Sequence, residues 1–283
     1  MSELFPIITT ILTTLALWLA GYLLTKNQPF ELGRGHYAGA FPLLGALAGA
    51  VFSYNADPKM LPVATGAVLL AITGFLRDRF RIKYATLLPI VVLIVSAAIF
   101  AGLPGTGSGL RIVSSTLWAI LIIVCLKISA LVYEMPFILL ATTSLSQFVV
   151  FSTGEHSPYL IAVNTAIMIA AILMLLYSAT GRRVLQGSSG LFAAGFLLAA
   201  VSMAESSQKL MFFGLFIPSM VIFFPFALIC TMIIVSYFGN RLHLPDTGVE
   251  RQWSWTLQRE KTVVFSGLIF LCLNFFGLLV TVD

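Results

Sequence analysis

Long apolar runs separated by short polar breaks dominate this chain. A helix rises about 1.5 Å per residue, so a run of roughly 20 apolar residues crosses the hydrocarbon of a bilayer. Read at that length, the sequence predicts about ten spans, at 4–25, 38–54, 59–76, 84–103, 113–133, 135–152, 158–178, 188–204, 209–238 and 262–281. The ninth is too long for one straight crossing. Pro218 and Pro225 each remove a helical hydrogen bond there and predict a kink or a break. The longest connection, Gly239 to Lys261, is about 23 residues, too short for a soluble domain. The expected fold is all-α: a polytopic membrane protein forming a single transmembrane domain over residues 1–283, with both termini outside.

Composition agrees with that pattern. Hydrophobic residues make up 59 % of the 283 and charged residues only 10 %, with a mean hydropathy of +1.00. A soluble core of this size would leave far more polar surface for water. The start, MSELFPIITT, lacks a basic region and a small-residue cleavage site, so it reads as the beginning of the first helix rather than a removed signal. Cys125, Cys230 and Cys272 all lie within apolar runs without ligand spacing, and read as small buried apolar residues.

The net charge of +5 sits in short loops and marks topology rather than nucleic-acid binding. Lys26, Arg34, Arg77, Arg79, Arg81, Lys83, Arg182, Arg183, Arg241, Arg251, Arg259 and Lys261 all fall in alternate loops, beginning after the first span. The opposite face holds only Lys59, Arg111 and Lys209, and Lys127 lies inside a span, about two turns from its end. The basic loops are therefore expected on the cytoplasmic side.

Gly45 and Gly49 have the small-xxx-small spacing that lets helices approach closely, here within one bundle. Trp18, Trp118, Trp253 and Trp255 are candidates for an interfacial aromatic belt. Arg251 to Arg259 reads either as a segment on the inner leaflet or as a solvated loop. His36, His156 and His243 are dispersed and spell out no metal site. Gln147, Asn164 and Asn274 are single polar residues within spans, for which interhelical hydrogen bonds are an adequate role.

The most informative run is Gly74-Phe-Leu-Arg-Asp-Arg-Phe-Arg-Ile-Lys83. It reads as a charged loop that places Arg77, Arg79, Arg81 and Lys83 around one carboxylate, Asp78. Its first six residues resemble the "G-L/F-L-D-D-R" of the polyprenyl-phosphate N-acetylhexosamine-1-phosphate transferases. Those enzymes start peptidoglycan, teichoic-acid and O-antigen lipid intermediates. Gly187-Ser-Ser-Gly-Leu-Phe-Ala-Ala-Gly-Phe-Leu-Leu198 is similar to their "G-D-x-G-S-x-x-x-G-F-x-x", with Arg183-Val184 ahead of it. His36 with Pro42 and Gly45 resembles the family's first cytoplasmic loop, and Leu244-Pro245-Asp246 resembles its last. The resemblance extends over nearly the whole chain. It implies a ten-helix fold in a bacterial inner membrane, with the basic loops converging on one site.

The departures bear on the chemistry. The family transfers a sugar phosphate from a UDP-sugar to a polyprenyl phosphate, using Mg²⁺ held by carboxylates. Mg²⁺ is a hard cation that demands oxygen ligands. Here Arg77 stands for the first acid of the pair and Ser188 for the acid after the glycine. Trp118 to Pro136 contains no Asn or Asp, and no histidine follows Asp246. Four departures together predict a non-catalytic relative without a metal cofactor. Its expected role is as an accessory or lipid-carrier-binding subunit in envelope glycan assembly, with a protein partner in that machinery. Arg77, Arg79, Lys83, Arg182, Arg183 and Lys127 are the candidate phosphate or lipid ligands. An arginine fork binds phosphate without a metal. Asp78 reads instead as the partner of its neighbouring arginines, and Lys127 either snorkels or lines a polar cleft. Two alternatives stand beside this: an active transferase with Mg²⁺ at a site rearranged from Asp78, Glu134 and Asp246, and a membrane transporter.

Overall fold

A computed structural model of the chain describes residues 61–80, 82–102, 109–130, 135–153, 158–179 and 187–206, with Leu12, Ala16 and Leu19. These residues form helices α1 (Leu61–Phe80), α2 (Tyr84–Gly102), α3 (Gly109–Ser129), α4 (Met135–Thr153), α5 (Pro158–Ala179) and α6 (Ser188–Ser206). Helices α1, α2 and α3 are long and apolar enough to cross a membrane. The described residues are all helical, and the protein is a membrane-embedded one.

The helix starts at 84, 135, 158 and 188 coincide with the predicted spans. Two elements differ. Helix α1 continues to Phe80, so Arg77, Asp78 and Arg79 lie on its last turn and not in a loop. Nothing in Arg-Asp-Arg-Phe breaks a helix, and arginines near a C-terminus suit the negative end of the helix dipole. Helix α3 runs from Gly109 to Ser129 rather than over 113–133, which puts Lys127 in its last turn, closer to its end than expected. Of the first span, the described positions Leu12, Ala16 and Leu19 are helical, while the spans expected at 38–54, 209–238 and 262–281 lie outside the described residues.

Helix α6 is the centre of the bundle. It is buried continuously from Ser188 to Met203 and is surrounded by α1, α3, α5 and α4. Helix α2 packs between α1 and α3, and α4 pairs with α5. Backbone closeness follows from small residues. A Cβ on Gly66 of α1 would lie 2.6 Å from Ala98 of α2 and 3.2 Å from the ring of Phe196 of α6. A Cβ on Gly195 of α6 would lie 3.0 Å from the Ile123 Cα of α3. Burial of α1 follows Val63, Gly66, Ala67, Leu70, Ala71, Thr73 and Gly74, while Val68, Leu69, Ile72, Phe75 and Leu76 face outward. Both faces are mainly apolar; they differ in size. That is the signature of packing in lipid, where van der Waals fit rather than expulsion of water draws helices together.

Cys125 is buried in the apolar core, as its sequence setting implied. Trp118, a belt candidate, instead sits in the middle of α3, partly buried against the core. Several hydroxyls in the bundle bond to their own helix: Thr73, Ser129, Thr142, Ser146, Thr165 and Ser202 donate to carbonyls three or four residues back. That habit satisfies them where no water is available.

The tightest approach is at Gly74, where a Cβ would lie 2.5 Å from the Ser188 carbonyl carbon and the Ser189 nitrogen. Gly74→Ala must therefore push α1 and α6 apart. It is expected to destabilise the protein by about 1–3 kcal/mol, the usual cost of overpacking. Gly109→Ala, with nothing within 4 Å of the added Cβ, is the matched control and leaves the thermal midpoint in detergent unchanged or slightly raised.

Candidate functional site

The last turn of α1 meets the first turn of α6. Asp78 lies four residues after Gly74, on the same face of α1, so the glycine admits the α6 backbone where the carboxylate can reach it. Asp78 Oδ2 accepts from the Ser188 backbone N–H at 2.5 Å, and Oδ1 accepts from the Ser188 hydroxyl at 2.8 Å. A carboxylate from another helix thus caps α6. It satisfies one of the orphan donors of the first turn and sits at the positive end of the dipole.

Arg77 completes the cluster. Its Nη1 donates to Asp78 Oδ1 at 2.8 Å and to Ser188 Oγ at 3.2 Å. Its guanidinium lies over the Tyr84 ring, 4.0 Å from the centroid, within cation–π range. The Ser188 hydroxyl hydrogen goes to Asp78, so the Tyr84 hydroxyl is the donor in its 3.4 Å contact with Ser188 Oγ. The Asp78 side chain is only 4 % exposed and that of Arg77 26 %. This ion pair is therefore shielded, unlike the surface pairs that contribute little. The Arg77 Nε and the Ser189 hydroxyl are also buried, each without a partner.

The chain brings together Arg77, Asp78 and Ser188, three positions singled out in the sequence. Arg79 and Lys83 are exposed at the same end of the bundle, in and just after the last turn of α1. Hairpin alternation puts the C-terminal end of α3 there too, so Lys127 shares that end, partly exposed. Glu134, Arg182, Arg183 and Asp246 lie outside the described residues. Tyr84 went unnoticed in the sequence; its only signal is an aromatic at the start of the helix that folds back on Arg77. Ser188 read there as a lost acid, whereas in the fold it is the group that receives Asp78.

These residues do not fit Mg²⁺. The ion needs near-octahedral oxygens at about 2.0–2.1 Å, yet among the described residues Asp78 is the one carboxylate of the cluster and both its oxygens already accept hydrogen bonds. A guanidinium supplies the positive charge between α1 and α6. No protein-family model matches this chain, and neither does any curated protein.

Removing the Asp78 charge strands a shielded guanidinium and uncaps α6. Asp78→Asn is expected to lower stability by about 1.5–3 kcal/mol, in the range for hydrogen bonds to charged groups. Arg79→Gln, at an exposed position, should stay within about 0.5 kcal/mol. A thermal-unfolding double-mutant cycle over Arg77 and Asp78 measures the coupling directly.

Proposed function

We propose that this protein is a non-catalytic homologue of the polyprenyl-phosphate sugar-1-phosphate transferases, binding a lipid carrier as an accessory subunit in envelope glycan assembly. In this reading it has about ten spans in a bacterial inner membrane, with both termini outside and the basic loops cytoplasmic. One observation carries the proposal. Among the described residues, the one carboxylate of the α1–α6 cluster is committed to Arg77 and to the start of α6. A residue that must hold Mg²⁺ against a diphosphate needs free oxygens facing the substrate, and Asp78 has become a structural group.

The same geometry divides the arginines. Arg77 is held by Asp78, Ser188 and the Tyr84 ring, so its role is to join helices. Arg79 and Lys83, both exposed, are left to meet an anionic headgroup, with Arg182 and Arg183 as further ligands. Basic residues next to a bilayer each contribute about 1 kcal/mol toward anionic lipid. Two of them account for roughly a thirtyfold preference.

Two measurements test this. Purified protein given UDP-sugar, Mg²⁺ and undecaprenyl phosphate should form no lipid-linked product; turnover would show that the site is active. In nanodiscs, Arg79→Glu with Lys83→Glu should weaken binding of polyprenyl phosphate at least about tenfold, and undiminished binding would remove the lipid-carrier role.

A further inference from the structure

Helix α1 ends differently on its two sides. Inward it closes on α6 through Gly74 and Asp78, whereas outward it presents one continuous row. Leu69, Ile72, Leu76 and Arg79 follow one another at three- and four-residue spacing and so share a face. Leu69 is 44 % exposed, Ile72 49 % and Leu76 40 %, and Arg79 is exposed at the end of the row with Phe80 beside it. An apolar track on the outside of the bundle thus runs directly into a guanidinium. Lys83, also exposed, follows just after the helix. Its carbonyl accepts from the Thr86 N–H at 3.1 Å, which fixes it at the start of α2.

The chemistry of this face selects what covers it. Helices in lipid associate through small residues that let backbones approach. On α1 those residues, Gly66 and Gly74, lie against α2 and α6, while the outward row carries large branched and aromatic side chains. A second copy of the chain fits poorly as well. Two copies in one membrane present Arg79 and Lys83 at the same level, so a symmetric contact through this face sets like charges against each other. Among the described residues at this end, the acid is Asp78, with its side chain 4 % exposed and engaged by Arg77 and Ser188. Neutralisation of Arg79 and Lys83 therefore falls to an anion from outside the bundle.

Length points to the same occupant. At about 1.5 Å per residue, Leu69 stands about 15 Å from Arg79, the depth of one leaflet of a hydrocarbon core about 30 Å thick. A lipid with its phosphate between Arg79 and Lys83 lays chains one leaflet deep against Leu76, Ile72 and Leu69. The arginine fork matches phosphate oxygens, and two cations favour a headgroup of net negative charge over a zwitterionic one. We infer that the outward face of α1, from Leu69 to Lys83, binds an anionic diacyl phospholipid of the surrounding bilayer, of the phosphatidylglycerol type. The site shares two cations with the lipid-carrier role proposed above but does not depend on that role.

The test uses the full chain in phosphatidylcholine nanodiscs with a minor fraction of phosphatidylglycerol that carries a diazirine on its acyl chain. After illumination, labelled peptides are mapped by mass spectrometry. The reference is the far half of α2, where Leu93 and Phe100 are 70 % and 66 % exposed and the last turn holds no basic residue. Phosphatidylcholine bearing the same diazirine gives the ratio of labelling on the two faces without net headgroup charge. Phosphatidylglycerol is expected to raise that ratio in favour of residues 69–80 by at least about tenfold. Arg79→Gln with Lys83→Gln should return it to the phosphatidylcholine value. Equal ratios for the two lipids in the unaltered chain overturn the proposal, as does a preference that survives in the double variant. So does an α1 face that neither lipid labels, the sign of a protein or a second copy seated there. Undecaprenyl phosphate binding, measured alongside, separates the two roles. A chain that holds the carrier without a phosphatidylglycerol preference overturns this site alone; one with the preference and no carrier binding supports it while removing the carrier role.

Discussion

A helix that begins inside an apolar bundle has donors that nothing around it can satisfy. Helix α6 is in that position, buried from its first residue and enclosed by its neighbours. Asp78 resolves the problem from outside the helix, by accepting from both the backbone and the hydroxyl of Ser188. The carboxylate then needs its own counter-charge, because an isolated ion is costly in such surroundings. Arg77 provides it from the adjacent position, flattened against Tyr84. Gly74 is required one turn earlier so that the two backbones can come this close. The arrangement of α1, α2 and α6 at that end follows from this chain of needs.

The cluster also explains how an arginine can stand at position 77. A guanidinium beside a carboxylate links the two helices: positive charge between α1 and α6, neutralised by Asp78 and steered by its planar fork. Serine at 188 is complementary, since a second acid there would compete for one arginine. A hydroxyl instead donates to Asp78 and accepts from Arg77. The arginine and the serine are thus partners in space, and each makes sense of the other.

Much of the helical layout was legible from apolar run length, because a buried or lipid-facing helix must be apolar along its whole length. The starts at Tyr84, Met135, Pro158 and Ser188 follow directly from that constraint. Ends carrying charge were harder. Arg77, Asp78 and Arg79 look like a loop to any count of hydropathy, yet they are helical, and contacts of Arg77 and Asp78 with α6 and α2 hold that turn. Trp118 shows a related limit: an indole is enriched at interfaces, but only the fold shows that this one lies in the middle of α3, partly buried against the core. Gln147 and Asn164 look alike in sequence, and only packing reveals that one has a partner and the other has none.

What the sequence determined by itself was the solvent. Its apolar runs and sparse, clustered charges dictate helices in a membrane, because backbone groups there must pair within their own segment. It also contained the identities at 77, 78 and 188. What those residues do was decided by tertiary structure alone. Asp78 and Ser188 are 110 residues apart in the chain, and their meeting depends on small residues at the right turns of two antiparallel helices. Hydropathy is a property of each position, whereas a hydrogen bond between helices depends on distances that only the packed bundle defines.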